Sequence, residues 1–134
     1  MAKKEFTFRG KTIEELNALN KEQFAELLTS RARRSLLRQD MSHVLKKLLK
    51  ARKVKEEGKY PRPIRTHRRD LVVVPEMVGL EMAVYNGKEF QKIGILPEML
   101  GHFLGELALS RKRIKHGKAG IGATRSSTAK ASKK

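Results

Sequence analysis

The sequence predicts an α+β fold: a small three-stranded mixed or antiparallel sheet covered by a helix, with an N-terminal helical extension and a basic, extended C-terminal tail. Three observations carry this expectation. Apolar runs near residues 71–74, 81–85 and 89–95 have strand character, with Asn86-Gly87 between the last two supplying a glycine that tolerates the positive φ of a two-residue reversal. After Pro97 the apolar spacing becomes helical, through Met99, Leu100, Phe103, Leu104 and Leu107, giving a face that covers the sheet out to about Leu109. Residues 71–110 carry only Lys88 and Lys92 against Glu76, Glu81, Glu89, Glu98 and Glu106, a net charge of −3, which marks this stretch as the compact nucleus of a chain whose total charge is +17.

The remaining charge is distributed as zero over 1–30, +11 over 31–70 and +9 over 111–134. A chain of 134 residues supports one domain with one modest core. An excess of 31 Lys and Arg over 14 Asp and Glu repels itself in isolation and attracts polyanions, so a large anionic partner is expected. With no cysteine there are no disulfides, thiol nucleophiles or Cys-based zinc sites. The apolar run Leu71–Val74 stops at Pro75, and the N-terminus has no apolar stretch after its lysines, so neither a membrane span nor a signal peptide is expected.

The chain divides into a helical extension over 1–60, basic from residue 31, a core with a basic arm over 61–122, and a tail over 123–134. Residues 7–29 read as one or two short helices. Thr12 with Glu15 and Asn20 with Gln23 have the spacing of reciprocal helix caps, and Leu16, Leu19, Phe24, Leu27 and Leu28 form a partial apolar stripe. The basic cluster Arg31, Arg33, Arg34 and Arg38 precedes a helix expected from a Ser42 cap to about Gly58. On it Val44, Leu45, Leu48 and Leu49 oppose Lys46, Lys47, Lys50 and Lys53, so one face packs and the other meets phosphates. The same pattern fits a solvated lysine face or a membrane-surface helix.

Pro61 and Pro63 stiffen the following arm, so Arg62, Arg65, His67, Arg68 and Arg69 project from extended backbone suited to a sugar-phosphate chain. The motif PEMVG at 75–79 is echoed by PEMLG at 97–101; each places proline at a first helical position and glutamate near the positive end of a helix dipole. The first echo is expected to be a single turn and the second to open the covering helix. His102 and Glu106, four apart, can form a surface pair, hold a metal or work as acid and base; nothing nearby completes a site, and no cofactor or metal is expected. Gly101 and Gly105 leave backbone open to close approach, by another element or by RNA. The segment from Arg111 through Lys112, Arg113 and Lys115 to Lys134 contains no acid, and its glycine spacing lacks the strand and helix of a phosphate loop.

The runs THRRDLVVVPEMVG, VYNGKEF, PEMLGHFLGEL and HGKAGIGATRSS closely resemble the small-subunit ribosomal protein S-nineteen family in its archaeal and eukaryotic form. The likeness is continuous from about Thr66 to Ser127 and looser from Phe6 to Tyr60. It implies a cytoplasmic protein of the ribosome's small-subunit head that binds small-subunit rRNA beside a protein of the ribosomal S-thirteen family, with its tail directed toward tRNA. It also implies RNA-binding roles for Arg65, His67, Arg68, Arg69, Asn86, Gly87, Lys88, Gly101, His102, His116, Gly117 and Arg125. A non-enzymatic ribosomal component, with no homo-oligomer, is therefore the leading expectation. Its competitor is a general nucleic-acid-compacting or anionic-membrane-surface protein. The scarcity of aromatic residues, two Tyr, five Phe and no Trp, argues for recognition of folded RNA shape and backbone over base stacking.

Overall fold

In the computed structural model, which describes residues 6–115, the order is α1 (Ile13–Ala18), α2 (Lys21–Leu27), α3 (Ser30–Arg38), α4 (Ser42–Glu56), β1 (Ile64–Thr66), β2 (Glu81–Tyr85), β3 (Phe90–Gly94) and α5 (Leu104–Leu107), with 3-10 turns at Pro75–Met77 and Pro97–Met99. The three strands form one mixed sheet in the order β1-β2-β3, as the α+β reading requires. β1 runs parallel to β2, with Ile64, Arg65 and Thr66 opposite Met82, Ala83 and Val84. β2 and β3 are antiparallel, pairing Glu81 with Gly94 through to Tyr85 with Phe90.

The N-terminal helices start where the sequence says they should. Thr12 N–H donates to Glu15 Oε2 at 2.9 Å while Glu15 N–H donates to Thr12 Oγ1 at 3.4 Å; Asn20 N–H donates to Gln23 Oε1 at 3.1 Å. These bonds satisfy donors that the first helical turn leaves open. Leu16, Phe24, Ala25 and Leu28 then bury their side chains in the same cluster as Ala32 and Leu36 of α3, Val44, Leu48 and Ala51 of α4, and Met82 and Val84 of β2. Each fully buried Leu, Val or Met contributes about 1.5–3 kcal/mol relative to exposure.

Four local readings change. The Arg31–Arg38 cluster is itself helical, and α4 begins one residue earlier than a Ser42 cap would place it. Ser42 is its first helical residue, and the capping role falls to Asp40, whose Oδ1 accepts from Ser42 N–H at 2.9 Å. The hairpin connection spans the four residues 86–89 instead of two. Asn86 Oδ1 accepts from the amides of Lys88 and Glu89 at 3.0 and 2.9 Å, and Gly87 takes φ +102°.

The third change concerns the apolar run. Leu71–Val74 is extended and buried but belongs to no ladder of the sheet; the first strand is Ile64–Thr66, inside the proline-stiffened arm. Its backbone is instead paired with residues 101–105. Leu104 N–H donates to Leu71 O at 2.9 Å, Val73 N–H to His102 O at 2.8 Å and Gly101 N–H to Val73 O at 3.1 Å. A continuous apolar run is compatible with any extended segment covered on all sides, and alternation was needed to specify a sheet strand. The fourth change follows from this pairing. The helix expected from Pro97 to Leu109 is a 3-10 turn that stops at Gly101, φ +79°, followed by the single-turn α5. The first echo behaves identically, ending at Gly79 with φ +77°.

Several cations are used inside the fold to satisfy carbonyls. Arg33 caps the end of α2, donating to Ala25 O, Glu26 O and Leu28 O at 3.1, 2.9 and 3.3 Å. Arg52 and Lys55 of α4 hold the Pro75–Met77 turn, with donors 3.0 Å from Glu76 O and 2.8 Å from Gly79 O. Arg69 reaches Tyr85 O and Gly105 O, each at 2.9 Å, and Ala108 O. Arg68 bonds Asp70 Oδ2 at 2.9 Å and Asp40 O at 3.0 Å, while Gln39 Nε2 bonds Asp70 O at 2.8 Å, latching the α3–α4 junction to the arm. The Arg68 side chain accordingly holds the Asp70 carboxyl below its ordinary value of 3.8. Bonds from the Ser42 side chain and amide do the same for Asp40.

Two consequences are testable by denaturation. A Cβ at Gly101 would lie 2.9 Å from Leu28 Cδ2 in a left-handed conformation, whereas one at Gly87 would meet open space. Gly87→Ala should cost about 1–2 kcal/mol for its backbone alone and Gly101→Ala clearly more; equal midpoints for the two variants would refute the packing argument. Because the folded-state values of Asp40 and Asp70 are depressed, their contribution is complete above the ordinary 3.8 and is lost as pH falls below it. The thermal midpoint should therefore drop more steeply below about pH 4 in the native chain than in Asp70→Asn; superimposable profiles would contradict this latch.

Candidate nucleic-acid interface

Side chains alternate across a strand, so the pairing of Arg65 with Ala83 and of Ala83 with Lys92 sets these three residues in one row on the outer face of the sheet. Phe90, two residues before Lys92, lies on the same face opposite Tyr85. The opposite face presents Ile64, Met82 and Val84 to the core. Beside the outer face runs a stripe of α4, Lys47, Lys50, Ala51 and Val54, whose spacing is that of one helix side. The segment from Lys59 to Pro63 closes the third side.

Between them lies an open groove of about 910 Å³. Its lining contains the cations Lys47, Lys50, Lys59, Arg62, Arg65 and Lys92 and no carboxylate, over a floor that includes Ala51, Val54 and Ala83. Lys59 has an exposed ion pair with Glu57 at 3.3 Å, a contact worth little in water. Arg65 extends its guanidinium over the Phe90 ring, 5.5 Å from the centroid. At the rim the Glu81 carboxylate, chiefly by hydrogen bonding to the neutral phenol, raises the pKa of Tyr60 above its ordinary 10.0. Clustered like charges with no acid among them create a field that concentrates polyanions.

The expected contact residues separate into several places. Arg62, Arg65 and Lys50 line the groove, while Lys46 is exposed on α4 but off the lining stripe. His67 packs at the groove's aromatic end, 4.7 Å from Tyr85 and 5.0 Å from Phe90 between ring centroids. Arg34 and Arg38 are exposed on α3; Lys88 is exposed at the hairpin beside Asn86 and Gly87, and Arg111, Lys112, Arg113 and Lys115 are exposed along the exit. Arg33, Arg68 and Arg69 have guanidinium donors engaged by the chain's own carbonyls. Arg31, Gly101 and His102 come together in a separate depression of about 380 Å³. There Arg31 sits over Phe103 at 5.1 Å, and His102 Nδ1 lies 2.7 Å from Glu106 Oε2. His116, Gly117 and Arg125 lie outside the described residues.

Sequence reasoning missed Lys92, Lys59, Tyr60 and Phe90. Counting by twos from Phe90 along its strand would have found Lys92; the partnership of β1 with β2, which brings Arg65 alongside, had no sequence signal. Of the apolar face expected on α4, Val44 and Leu48 are inside the core, Leu45 is half-buried and Leu49 is exposed, which leaves little apolar surface outward for a membrane-surface helix. Among the described residues no helix is long and apolar enough to cross a membrane, and no group of three or more His, Cys, Asp or Glu is placed to hold a metal. A smaller cavity of about 200 Å³, between α1, α2 and the α3–α4 junction, has an apolar lining and mixed charges from Lys21, Asp40 and Glu76, and so lacks the groove's one-signed field.

The family model described as ribosomal protein S19 matches residues 34–116, a span that includes the groove, the sheet and both 3-10 turns. The small ribosomal subunit protein uS19 of Saccharolobus solfataricus is 49% identical over 124 residues, covering 92% of this chain and 89% of the relative. With its sheet, paired turns and basic arm inside the matched region, the chain belongs to the ribosomal protein S19 family.

Proposed function

We propose that this chain binds small-subunit rRNA in the head of the subunit through the cationic groove between α4 and the sheet, with the exposed cations of α3 and of the exit segment adding further phosphate contacts. Membership of the family makes it a structural constituent of the small ribosomal subunit, cytoplasmic within the ribosome and working in translation. The single observation that carries the rRNA reading is the groove itself, with six cations and no carboxylate around an apolar floor. Backbone phosphates are neutralised by such a lining, and the folded core fixes the spacing of the cations before the partner arrives.

A neighbouring head protein of the S-thirteen family and tRNA near the C-terminal tail complete the proposed surroundings, following the family resemblance. In this reading the protein has no catalytic step: it neutralises, positions and holds a folded RNA.

Binding of the full-length protein to small-subunit rRNA fragments should weaken steeply with salt, by about 0.7 in log–log slope for each single-strand phosphate contacted. Replacing Lys47, Lys50 and Lys92 together by Gln should flatten that slope by about 2. An unchanged slope, with the variant folded, would show that RNA does not enter the groove. Co-sedimentation with small subunits after a high-salt wash, combined with cross-linking from Arg113→Cys, tests the neighbours; a cross-link to a protein of another subunit region would refute the head placement.

A further inference from the structure

We infer that the groove receives unpaired bases: a looped-out or single-stranded stretch of RNA lies across the outer face of the sheet, its bases stacked on the Tyr60 and Phe90 rings and its phosphates held by Lys50 and Lys92. This deepens the rRNA reading above and rests on it. Phosphate binding explains the cations but not the rings. The chain has only two tyrosines and five phenylalanines, yet Tyr60 and Phe90 line this groove and Tyr85 borders it. His67, Tyr85 and Phe90 form a cluster with ring centroids 4.7–5.2 Å apart and planes inclined by 48–78°, so that it offers single ring faces and edges to a base. Tyr60 is 75% exposed, which leaves its ring open to a partner.

Shape and charge point the same way. A regular RNA duplex presents a convex, broad surface of sugars and phosphates; a concave cleft between a helix and a sheet admits flat groups that a duplex keeps stacked inside. Sheets that read single-stranded RNA do so with aromatic side chains on the exposed face, and each stacked base is sequence-tolerant because every base has a π-face. The Arg65 guanidinium lies over the Phe90 ring, so on that side a base stacks on the guanidinium that Phe90 backs, with donors at its edge for base carbonyls and ring nitrogens. An acidic peptide would use the cations and the apolar floor but gains little from a cluster of rings, so bases are the better match.

The test uses the full-length protein and two RNA hairpins of equal length, one a continuous duplex and the other carrying an internal run of unpaired 2-aminopurine. The interrupted hairpin should bind about tenfold more tightly, with its fluorescence quenched on binding. Tyr60→Ala and Phe90→Leu should each weaken the interrupted hairpin about five- to a hundredfold, leave the duplex within about twofold, and preserve the salt slope. Lys50→Gln combined with Lys92→Gln should instead weaken both RNAs and flatten both slopes. Equal affinity for the two hairpins and indifference to the ring variants would overturn the stacking proposal while leaving the cationic groove intact. Indifference to the lysine variants would overturn the groove reading itself, and full competition by polyglutamate against the interrupted hairpin would favour an acidic peptide and overturn it too. Should Phe90→Leu fail to fold, Tyr60→Ala decides alone, since its side chain stands mostly in solvent.

Discussion

The structure depends on satisfying the backbone of one buried segment. Leu71–Val74 is enclosed on every side, and peptide groups removed from water without partners would cost more than its side chains contribute. Their partners include Gly101, His102 and Leu104, with Gly105 N–H bonding Arg69 O just upstream, and these residues must approach within hydrogen-bonding distance. That requirement explains the glycines there: a Cβ on Gly105 would lie 2.9 Å from Arg69 O, and Gly101 must both turn the chain with positive φ and make room for Leu28. The same pairing carries Arg69 to the carbonyls at the end of β2 and around α5. Sheet, turns and N-terminal helices thus converge on four apolar residues that belong to no sheet.

Around that segment the cations of the arm and of the helices packed on it serve two different uses, apart from those exposed on α3, at the hairpin and along the exit. Arg33, Arg52, Lys55 and Arg69 point back at carbonyls of the chain, where a cation completes a helix end or ties a turn to a helix. Lys47, Lys50, Arg62, Arg65 and Lys92 face outward around one groove. Sequence position does not separate the groups: Arg65 and Arg69 sit four apart in one basic run, one over the groove and the other wedged against the core. A count of +17 therefore overstates what is available to a partner.

Much of this was legible in the chain. The caps at Thr12 and Asn20, the antiparallel hairpin, the α4 helix and the burial of Val44 and Leu48 on it follow from spacing alone, because each depends on neighbours within a few residues; Leu49, expected on the packed face, is exposed. The parallel partnership of β1 with β2 does not, since it joins residues separated by the whole buried loop. The error at Pro97 was avoidable. PEMVG and PEMLG are near copies, and if glycine after the first stops it after one turn, glycine after the second should do the same; the helical spacing of Met99, Leu100, Phe103 and Leu104 masked that symmetry. The aromatic content, judged as a total, argues against stacking; the stacking proposed above rests instead on where the few rings lie, with His67 and Tyr85 clustered on Phe90 and Tyr60 lining the same groove.

The inward-facing guanidiniums carry one more implication. Contacts between a charge and a partly buried peptide dipole are screened by electrolyte far less than exposed ion pairs are, and apolar packing does not weaken when ionic strength rises. Concentrated electrolyte should thus strip this molecule from a polyanion and release it intact, ready to be taken up again once the brine is diluted.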